Sequence, residues 1–451
     1  MKKISEYLNS QKMIDGQITK KLEEFSIEDL AISTEFIKRS NYKIDGLAFI
    51  VAFFRMLNNG ANTLESWAGQ ISRISGWMIS AQSLQAKLQF RHIKFSEMLL
   101  AKVLGKQLMI GNQLEIRSKL LTTFKRVYIE DSTCVKLPKN LVDIFPGSVN
   151  QTGKARDTAR IQCRMELKSG ECEQVVLQSY RDNDQKFSSN ILDSVEEKDL
   201  VLRDMGYWSL SVFKKLIKKG VSVLSRFVYH VYVYDVENGK KIDLGKLLRS
   251  HRREGNKVLD INVLVGKEEQ VKMRLVAIKV PQQIEQKRKR EMRKDKLEKR
   301  SQDYLEMMGW TIFVTNIRKK VLKPKELLEV YGFRWRIEII FKCWKNRIGL
   351  TKLFDKQSMT PGRVYITFYL FLVWIILFFV KQYNFFLLKV FNQTGKILSL
   401  FKFAKYLAEN ISRISTDDDL EKEIKYLARY CSQTKRIEKS YVEKIYTLNL
   451  D

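Results

Sequence analysis

Four side chains of one segment have the types and the spacing for phosphate chemistry. The segment YGFRWRIEIIFKCWK, residues 331–345, contains Tyr331, Arg334, Glu338 and Lys345. On a helix these four fall within an arc of roughly 60°, while bulky apolar residues occupy another face. A carboxylate suits a metal ion, and an arginine and a lysine beside it suit phosphate oxygens. An amphipathic helix with an ordinary polar face explains the same pattern, so both interpretations stay open on this segment alone.

Two aspartates occur in strand-like segments earlier in the chain. Asp131 lies within RVYIEDSTCVKLP, and Asp204 ends the segment DLVLRD. A carboxylate among apolar residues is costly without a cation, which favours a functional role for Asp131 over that of a solvated strand-end residue. Asp204, two residues before Gly206, fits a turn aspartate equally well.

The elements around these aspartates have a recognisable order. Hydrophobic periodicity predicts β-β-β-α-β-α-β over residues 126–227, the order of an RNase H-like α/β fold with a mixed five-stranded sheet and flanking helices. The glutamate helix that should complete this fold follows only after a β-rich insertion with two predicted hairpins. The insertion ends in QKRKREMRKDKLEKR, residues 286–300, which is either a phosphate-contacting element or a solvated helix face.

Composition indicates the class of partner. The 81 lysines and arginines exceed the 51 acidic residues, so the net charge is +30 and a polyanionic partner is expected, nucleic acid first and an anionic membrane second. The five cysteines form no C-x-x-C pair, and the first residues contain no apolar targeting segment, which predicts a reducing, intracellular setting. With three histidines in the chain, we expect an oxygen-ligated metal and not a Cys/His zinc site.

One apolar segment tests the expectation of a soluble protein. VYITFYLFLVWIILFFV, residues 364–380, contains no charged residue. Its 17 residues lie at the lower limit for a membrane helix, which needs about 20. Because it is aromatic-rich and follows a charged helix, we predict a buried helix behind the sheet, with a membrane span as the alternative.

With these residues placed, the chain resembles the DDE transposases of bacterial insertion sequences, in the insertion-sequence-4 type family. The Y-x2-R-x3-E-x6-K signature of that group is met by Tyr331, Arg334, Glu338 and Lys345. DST at Asp131, DMGYW at Asp204 and the β-rich insertion are also similar to the family. The resemblance covers roughly residues 125–380 and extends only loosely to the two ends.

The resemblance implies a catalytic site and its cofactor. Three carboxylates would hold two Mg²⁺ ions, and Mn²⁺ could substitute for them. The two metal ions would lie about 3.5–4 Å apart. The metal ligands and catalytic residues would be Asp131, Asp204 and Glu338. DNA-contacting residues would be Tyr331, Arg334, Lys345, Arg226 and Trp310. For Arg226 the alternative is a salt-bridged structural arginine. For Trp310, which would stack on a flipped base, the alternative is a core tryptophan.

The expected organisation has five parts. They are a helical DNA-binding domain (1–115), a first part of the catalytic core (120–227), the insertion (228–309), a second part of the core with the glutamate helix (310–400), and a helical tail (401–451). In the first part, a helix from Leu64, a break at Ser75–Gly76 and a helix from about Ser80 are compatible with helix-turn-helix.

The expected function is cut-and-paste transposition. The enzyme would bind the terminal inverted repeats of its own element as a homodimer in a synaptic complex, with target DNA as a further partner. It would cleave through a hairpin intermediate in the bacterial cytoplasm, near the nucleoid and without a membrane. The alternatives are a non-catalytic DNA-binding derivative, a structure-selective nuclease of the same fold, and a basic membrane protein.

Overall fold

In the part of the chain that the structure describes, one mixed β-sheet forms the centre. The computed structural model describes residues 19–38, 43–58, 60, 62–110, 119–147, 157–294, 301–356, 358–410 and 420–433. The strands are β1 Val127–Lys136, β2 Thr158–Glu166, β3 Glu171–Ser179, β4 Leu200–Arg203, β5 Ser222–Arg226, β6 Val233–Asp235, β7 Val258–Val265, β8 Val271–Lys279 and β9 Trp310–Thr315. They lie in the order β3-β2-β1-β4-β5-β9-β8-β7-β6.

The first five strands have the topology that the RNase H-like interpretation requires. β1 pairs antiparallel with β2 and parallel with β4, β2 pairs antiparallel with β3, and β4 pairs parallel with β5. A short helical segment over residues 184–193 precedes β4, and an amphipathic helix, Leu210–Lys218, connects β4 to β5. The sequence order is therefore the predicted β-β-β-α-β-α-β.

The insertion is part of the same sheet, which corrects the expectation of a five-stranded core with a separate β-rich insertion. β9 pairs antiparallel with β5 on one side and with β8 on the other. β7 and β6 follow β8, so the sheet has nine strands. Because the edge of β5 is covered by β9, the core presents no unpaired edge there.

Helices lie between and after the strands of the insertion, and the glutamate segment is itself helical. They are Leu244–Arg253, Gln282–Lys294, Gln302–Met307, Pro324–Gly332, Trp335–Asn346 and Leu350–Phe354. The predicted basic run falls partly in the second of these, and residues 295–300 lie outside the described residues. Arg288 of this run donates to the backbone carbonyl of Trp310 at 3.0 Å. At least one cation of the basic run therefore contacts the backbone of β9.

Helices also form the described parts of both ends of the chain. The amino-terminal ones are Ile27–Ser33, Gly46–Asn58, Leu64–Ser75, Ala81–Lys87 and Ile93–Ile110. Gly76 ends the third of them with a positive φ, and Ser80 caps the fourth by accepting from the backbone N–H of Ser83 at 3.1 Å. The described part of the predicted tail contains Leu400–Asn410 and Leu420–Tyr426.

The apolar segment belongs to a long buried helix. Pro361–Trp374, a π-helical turn over Ile375–Val380 and Lys381–Thr394 follow one another without a break. This stretch is long and apolar enough to cross a membrane, but 88% of its most apolar window is buried inside the protein. Burial fits the core helix of a soluble protein.

The partner of this helix differs from the prediction. It packs mainly against the amino-terminal helices and not behind the sheet. A Cβ on Gly362 would lie 2.5 Å from the backbone nitrogen of Phe90, so only glycine allows this close approach. The amino-terminal helices, this helix and one face of the sheet consequently share one apolar core.

Candidate active site

Asp131 and Asp204 lie side by side on two parallel strands, Asp131 in the middle of β1 and Asp204 directly after the end of β4. The β1–β4 register pairs Ile129 with Leu202, so the residues two positions further along, Asp131 and Asp204, lie at the same level. Side chains alternate between the faces of a sheet, and Ile129 and Leu202 both enter the core on the face that the glutamate helix covers. Both aspartates therefore belong to that face.

The glutamate segment forms two helices, whereas the sequence predicted one. Tyr331 lies in the last turn of Pro324–Gly332, and Arg334 is the residue before Trp335–Asn346. The break is short, because Phe333 and Arg334 keep helical dihedral angles and the backbone N–H of Arg334 donates to the carbonyl of Tyr331 at 3.1 Å. The i to i+3 bond tightens the chain without turning Tyr331 away from Glu338.

Arg334 is at the centre of the site. Its two terminal nitrogens lie 2.8 Å from Asp131 Oδ2 and 2.7 Å from Glu338 Oε1. The hydroxyl of Tyr331 donates to Asp204 Oδ1 at 3.1 Å. The structure thus brings together all three predicted carboxylates with the tyrosine and arginine of the signature.

The electrostatics of Asp131 reflect this crowding. Burial raises the pKa of Asp131 to about 6, and the charges of Asp204 and Glu338 act in the same direction. Arg334 and the backbone N–H of Ser132 lower this pKa but do not cancel the rise. Asp131 therefore ionises near neutral pH, at the cost of burying a charge among other carboxylates.

The aromatic hydroxyl and the guanidinium of the site are also perturbed. Burial and the charge of Asp204 raise the pKa of Tyr331, so the phenol stays protonated and acts as a donor. Burial by itself would lower the pKa of Arg334, but the surrounding oxygens raise it. Arg334 is a permanent cation in this position.

The donor set fits an oxygen-ligated divalent metal, although the carboxylates are engaged otherwise here. Among the described residues no group of three or more His, Cys, Asp or Glu side chains is arranged to hold a metal ion. The guanidinium of Arg334 lies between Asp131 and Glu338 and contacts both. It supplies the positive charge that three converging carboxylates require.

Two further predicted cations lie near this centre. Arg226 ends β5 on the strand next to β4, and within the described ranges its side chain makes no hydrogen bond or ion pair. Lys345 is half-buried two turns after Glu338, and no acidic side chain in the described part of the chain pairs with it. Its charge reaches Cys134 on β1, whose pKa is raised by burial and lowered by Arg160 and Lys345.

Trp310 does not join the site, which corrects the stacking role expected for it. It is 1% exposed and belongs to the apolar cluster on the opposite face of the sheet, where its indole N–H donates to Glu306 Oε1 at 3.2 Å. A base could not reach this ring. The exposed aromatic residue next to the site is Trp335, 47% exposed and three residues before Glu338. The position of Trp335 three residues before Glu338 on the same helix was the signal in the sequence that could have indicated an aromatic residue beside the site.

This fold, with two aspartates on parallel strands and a glutamate on a helix, is the arrangement expected of a DDE transposase domain. Residues 122–355 match the family model described as "Transposase DDE domain". The chain belongs to this family, which confirms the resemblance drawn from the sequence. As a member it is a DNA transposase, an enzyme that catalyses DNA cleavage and strand transfer, and its domain type generally uses divalent metal ions.

Similar proteins are transposases of insertion sequences. The transposase for insertion sequence element IS231B of Bacillus thuringiensis subsp. berliner is 26% identical over 341 residues, 71% of this chain and 70% of the relative. That for IS231E of Bacillus thuringiensis subsp. finitimus is 26% identical over 362 residues, 75% and 73% of the two chains. That for IS1151 of Clostridium perfringens is 26% identical over 326 residues, 67% of each.

Proposed function

We propose that Asp131, Asp204 and Glu338 are the catalytic, metal-binding carboxylates of a cut-and-paste transposase. The observation that carries the proposal is that Asp131 and Glu338, 207 positions apart, contact one mostly buried guanidinium, while Asp204 accepts from Tyr331 beside it. When bound there, two Mg²⁺ ions, or Mn²⁺ in their place, supply charge stabilisation to the attacking and leaving oxygens of a phosphodiester.

Arg334 has two alternative anionic partners in this proposal. In the structure it neutralises Asp131 and Glu338. Beside DNA, the same fork of N–H groups can bind two oxygens of a phosphate. When DNA is present, Arg334 would bind a phosphate in place of Asp131 and Glu338, and the two carboxylates would then be released. Tyr331 would keep Asp204 oriented throughout, since its raised pKa keeps the donating proton in place.

Lys345 and Arg226 would hold phosphates on either side of the carboxylates. Both are cations with no acidic partner within the described ranges, and both lie on elements that border the site. Unpaired cations in a chain of net charge +30 are suited to the DNA backbone. Each would contribute to binding without specifying a base.

The remaining parts of the proposal concern the DNA. The enzyme would bind the inverted repeats of its element through the amino-terminal helices, act as a homodimer in a synaptic complex, and pass through a hairpin in the bacterial cytoplasm. An unstacked base at a hairpin tip needs an exposed aromatic face, and Trp335 offers one beside Arg334.

The test is a set of charge-neutralising variants of the carboxylates. Asp131→Asn, Asp204→Asn and Glu338→Gln should each reduce nicking of labelled element-end DNA by at least about a hundred-fold, because each removes several kcal/mol of transition-state stabilisation. DNA binding measured by gel shift should stay near wild type. Glu329→Gln is the matched control, since Glu329 is an exposed glutamate on the preceding helix. A carboxylate variant that nicks like this control would remove that residue from the site.

A further inference from the structure

The residue before each of the two site aspartates is a buried charge. Glu130 precedes Asp131 and Arg203 precedes Asp204, and both are 0% exposed. Because side chains alternate along a strand, Glu130 and Arg203 lie on the face of the sheet opposite the aspartates. There Arg203 Nη2 lies 2.8 Å from Glu130 Oε2, an ion pair between β1 and β4.

Glu130 also joins β2. Arg164, its direct partner in the β1–β2 register, donates through Nε and Nη2 to Glu130 Oε1 at 2.9 and 2.8 Å. Arg164 is 1% exposed and further donates to Ser194 Oγ at 2.7 Å. Arg203 Nη2 donates to the carbonyl of Ser188 at 2.7 Å. One carboxylate therefore links three adjacent strands to the segment that precedes β4.

The pair stands where the backbone no longer holds the two strands together. The parallel pairing of β1 with β4 runs from Val127–Leu200 to Ile129–Leu202 and does not extend to Arg203 in the described structure. β4 itself ends at Arg203, and the chain turns away after Asp204. Beyond Leu202, the Glu130–Arg203 pair is a contact that ties the end of β4 to β1, and β5 pairs with β4 as far as Arg203.

Stability does not account for three charges in this place. Removing charges from water is unfavourable, and apolar residues of similar volume commonly serve a core as well or better. Arg203 shows this cost, since burial lowers its pKa and its Nε has no hydrogen-bond partner among the described residues. What an ion pair adds over apolar packing is a fixed distance between two particular atoms, and functional side chains must be held to within about 0.5 Å.

We infer that Glu130, Arg203 and Arg164 are positioning residues that set the spacing of Asp131 and Asp204 for metal binding. This inference rests on the proposed role of the two aspartates. The three residues lie on the face of the sheet opposite the aspartates and would act only through the backbone of β1, β2 and β4. Groups that orient metal ligands from behind typically change metal affinity ten- to a hundred-fold when they are removed.

Arg203→Met is the discriminating variant. It removes one buried cation and leaves Glu130 with Arg164, which also lies 3.6 Å from Glu173. We expect the melting temperature in the absence of metal to fall, because Glu130 and the carbonyl of Ser188 each lose a partner. We expect Mg²⁺ binding to the DNA-free protein, measured by calorimetry, to weaken about ten-fold or more. The Mg²⁺ concentration for half-maximal nicking should rise by the same factor, and Arg203→Lys should recover part of the loss.

Arg274→Met is the matched control. Arg274 is also a buried arginine of the sheet, paired with Asp260 at 2.8 Å on the insertion strands. Its loss should lower the melting temperature and leave Mg²⁺ affinity unchanged. If Arg203→Met keeps the Mg²⁺ affinity of this control, the pair is only structural and the inference fails. If Arg203→Met does not fold, the Mg²⁺ affinity of Arg203→Lys decides in the same way.

The outcome separates this inference from the proposed function. Wild-type nicking by Asp131→Asn would overturn the proposed site, whatever Arg203→Met does. An inactive Asp131→Asn together with unchanged Mg²⁺ affinity in Arg203→Met would overturn only the positioning role.

Discussion

Replacing Arg334 by glutamine should make the DNA-free protein bind Mg²⁺ more tightly. In the wild type, Asp131 and Glu338 must release the guanidinium before they can serve as ligands, because Arg334 contacts both at 2.8 and 2.7 Å. Glutamine removes the positive charge that competes with the metal. This direction is unusual, since loss of a site residue more often weakens binding.

The size of the effect follows from the two contacts. A hydrogen bond to a charged group contributes about 1.5–3 kcal/mol, so two such bonds give an upper limit of about 3–6 kcal/mol. The released guanidinium regains water, and the carboxylates are partly exposed, so we take half of this, about 1.5–3 kcal/mol. Because 1.4 kcal/mol corresponds to a factor of ten, the affinity should rise about ten- to a hundred-fold.

Protonation works against this gain and sets the pH of the assay. Burial raises the pKa of Asp131 to about 6 although Arg334 lowers it. Removing the Arg334 guanidinium must therefore raise the pKa of Asp131 further. A proton then competes with the metal at neutral pH. Calorimetry at pH 8 keeps Asp131 ionised in the wild type. In the same wild-type protein, Mg²⁺ affinity should fall as pH drops through 6, where Asp131 takes up a proton.

The control is a second arginine on the same helix. Arg336 donates to the carbonyl of Leu167 at 3.3 Å and contacts none of the carboxylates, so Arg336→Gln changes the net charge equally. Tighter Mg²⁺ binding by Arg334→Gln than by Arg336→Gln is the expected result. Equal affinities would refute the idea that Arg334 occupies the place of the metal, and weaker binding by Arg334→Gln would make it a support for the ligands.

Four other outcomes are expected. Lys345→Ala should flatten the salt dependence of end-DNA binding by about one unit per lost phosphate contact, whereas Lys342→Ala, whose ammonium lies over the Trp335 ring, should change it less. Trp310→Ala should destabilise the fold by about 3–5 kcal/mol and lower nicking and hairpin formation together. Trp335→Ala should spare the first nick and reduce hairpin product about ten-fold for each 1.4 kcal/mol of stacking lost, on denaturing gels. Because the helix over residues 361–394 is buried, salt or nuclease should extract the protein from cell pellets, and a need for detergent would contradict this.

The positions of the site residues could be predicted because their signals are local. Asp131 and Asp204 fall in short strand patterns, and the spacing from Tyr331 to Lys345 places four polar residues on one side of a helical segment. Alternation and helical periodicity are set by the backbone, so they survive the small break at Phe333.

What the sequence did not indicate depends on partners distant in the chain. The nine-stranded sheet requires β9 to pair with both β5 and β8, and nothing within those strands specifies a partner. The burial of Trp310 follows from that pairing, since it faces the core that β8 and β9 share. Whether Arg334 binds the carboxylates or a phosphate also depends on tertiary contacts, because a guanidinium that lies near both anions can pair with either.

A different signal was present in the strand sequences and explains why the site has two layers. A central strand that is buried on both faces should be almost entirely apolar, yet β1 carries the run Glu130-Asp131-Ser132-Thr133 and the end of β4 carries Arg203-Asp204. A single functional face requires a polar residue only at every second position. Adjacent charges mean that both faces are polar at the same level, the aspartates toward the glutamate helix and the Glu130–Arg203 pair behind them. Local rules are broken where a second requirement outweighs packing; here that requirement is to hold two carboxylates at the level where the backbone pairing of β1 with β4 has already stopped.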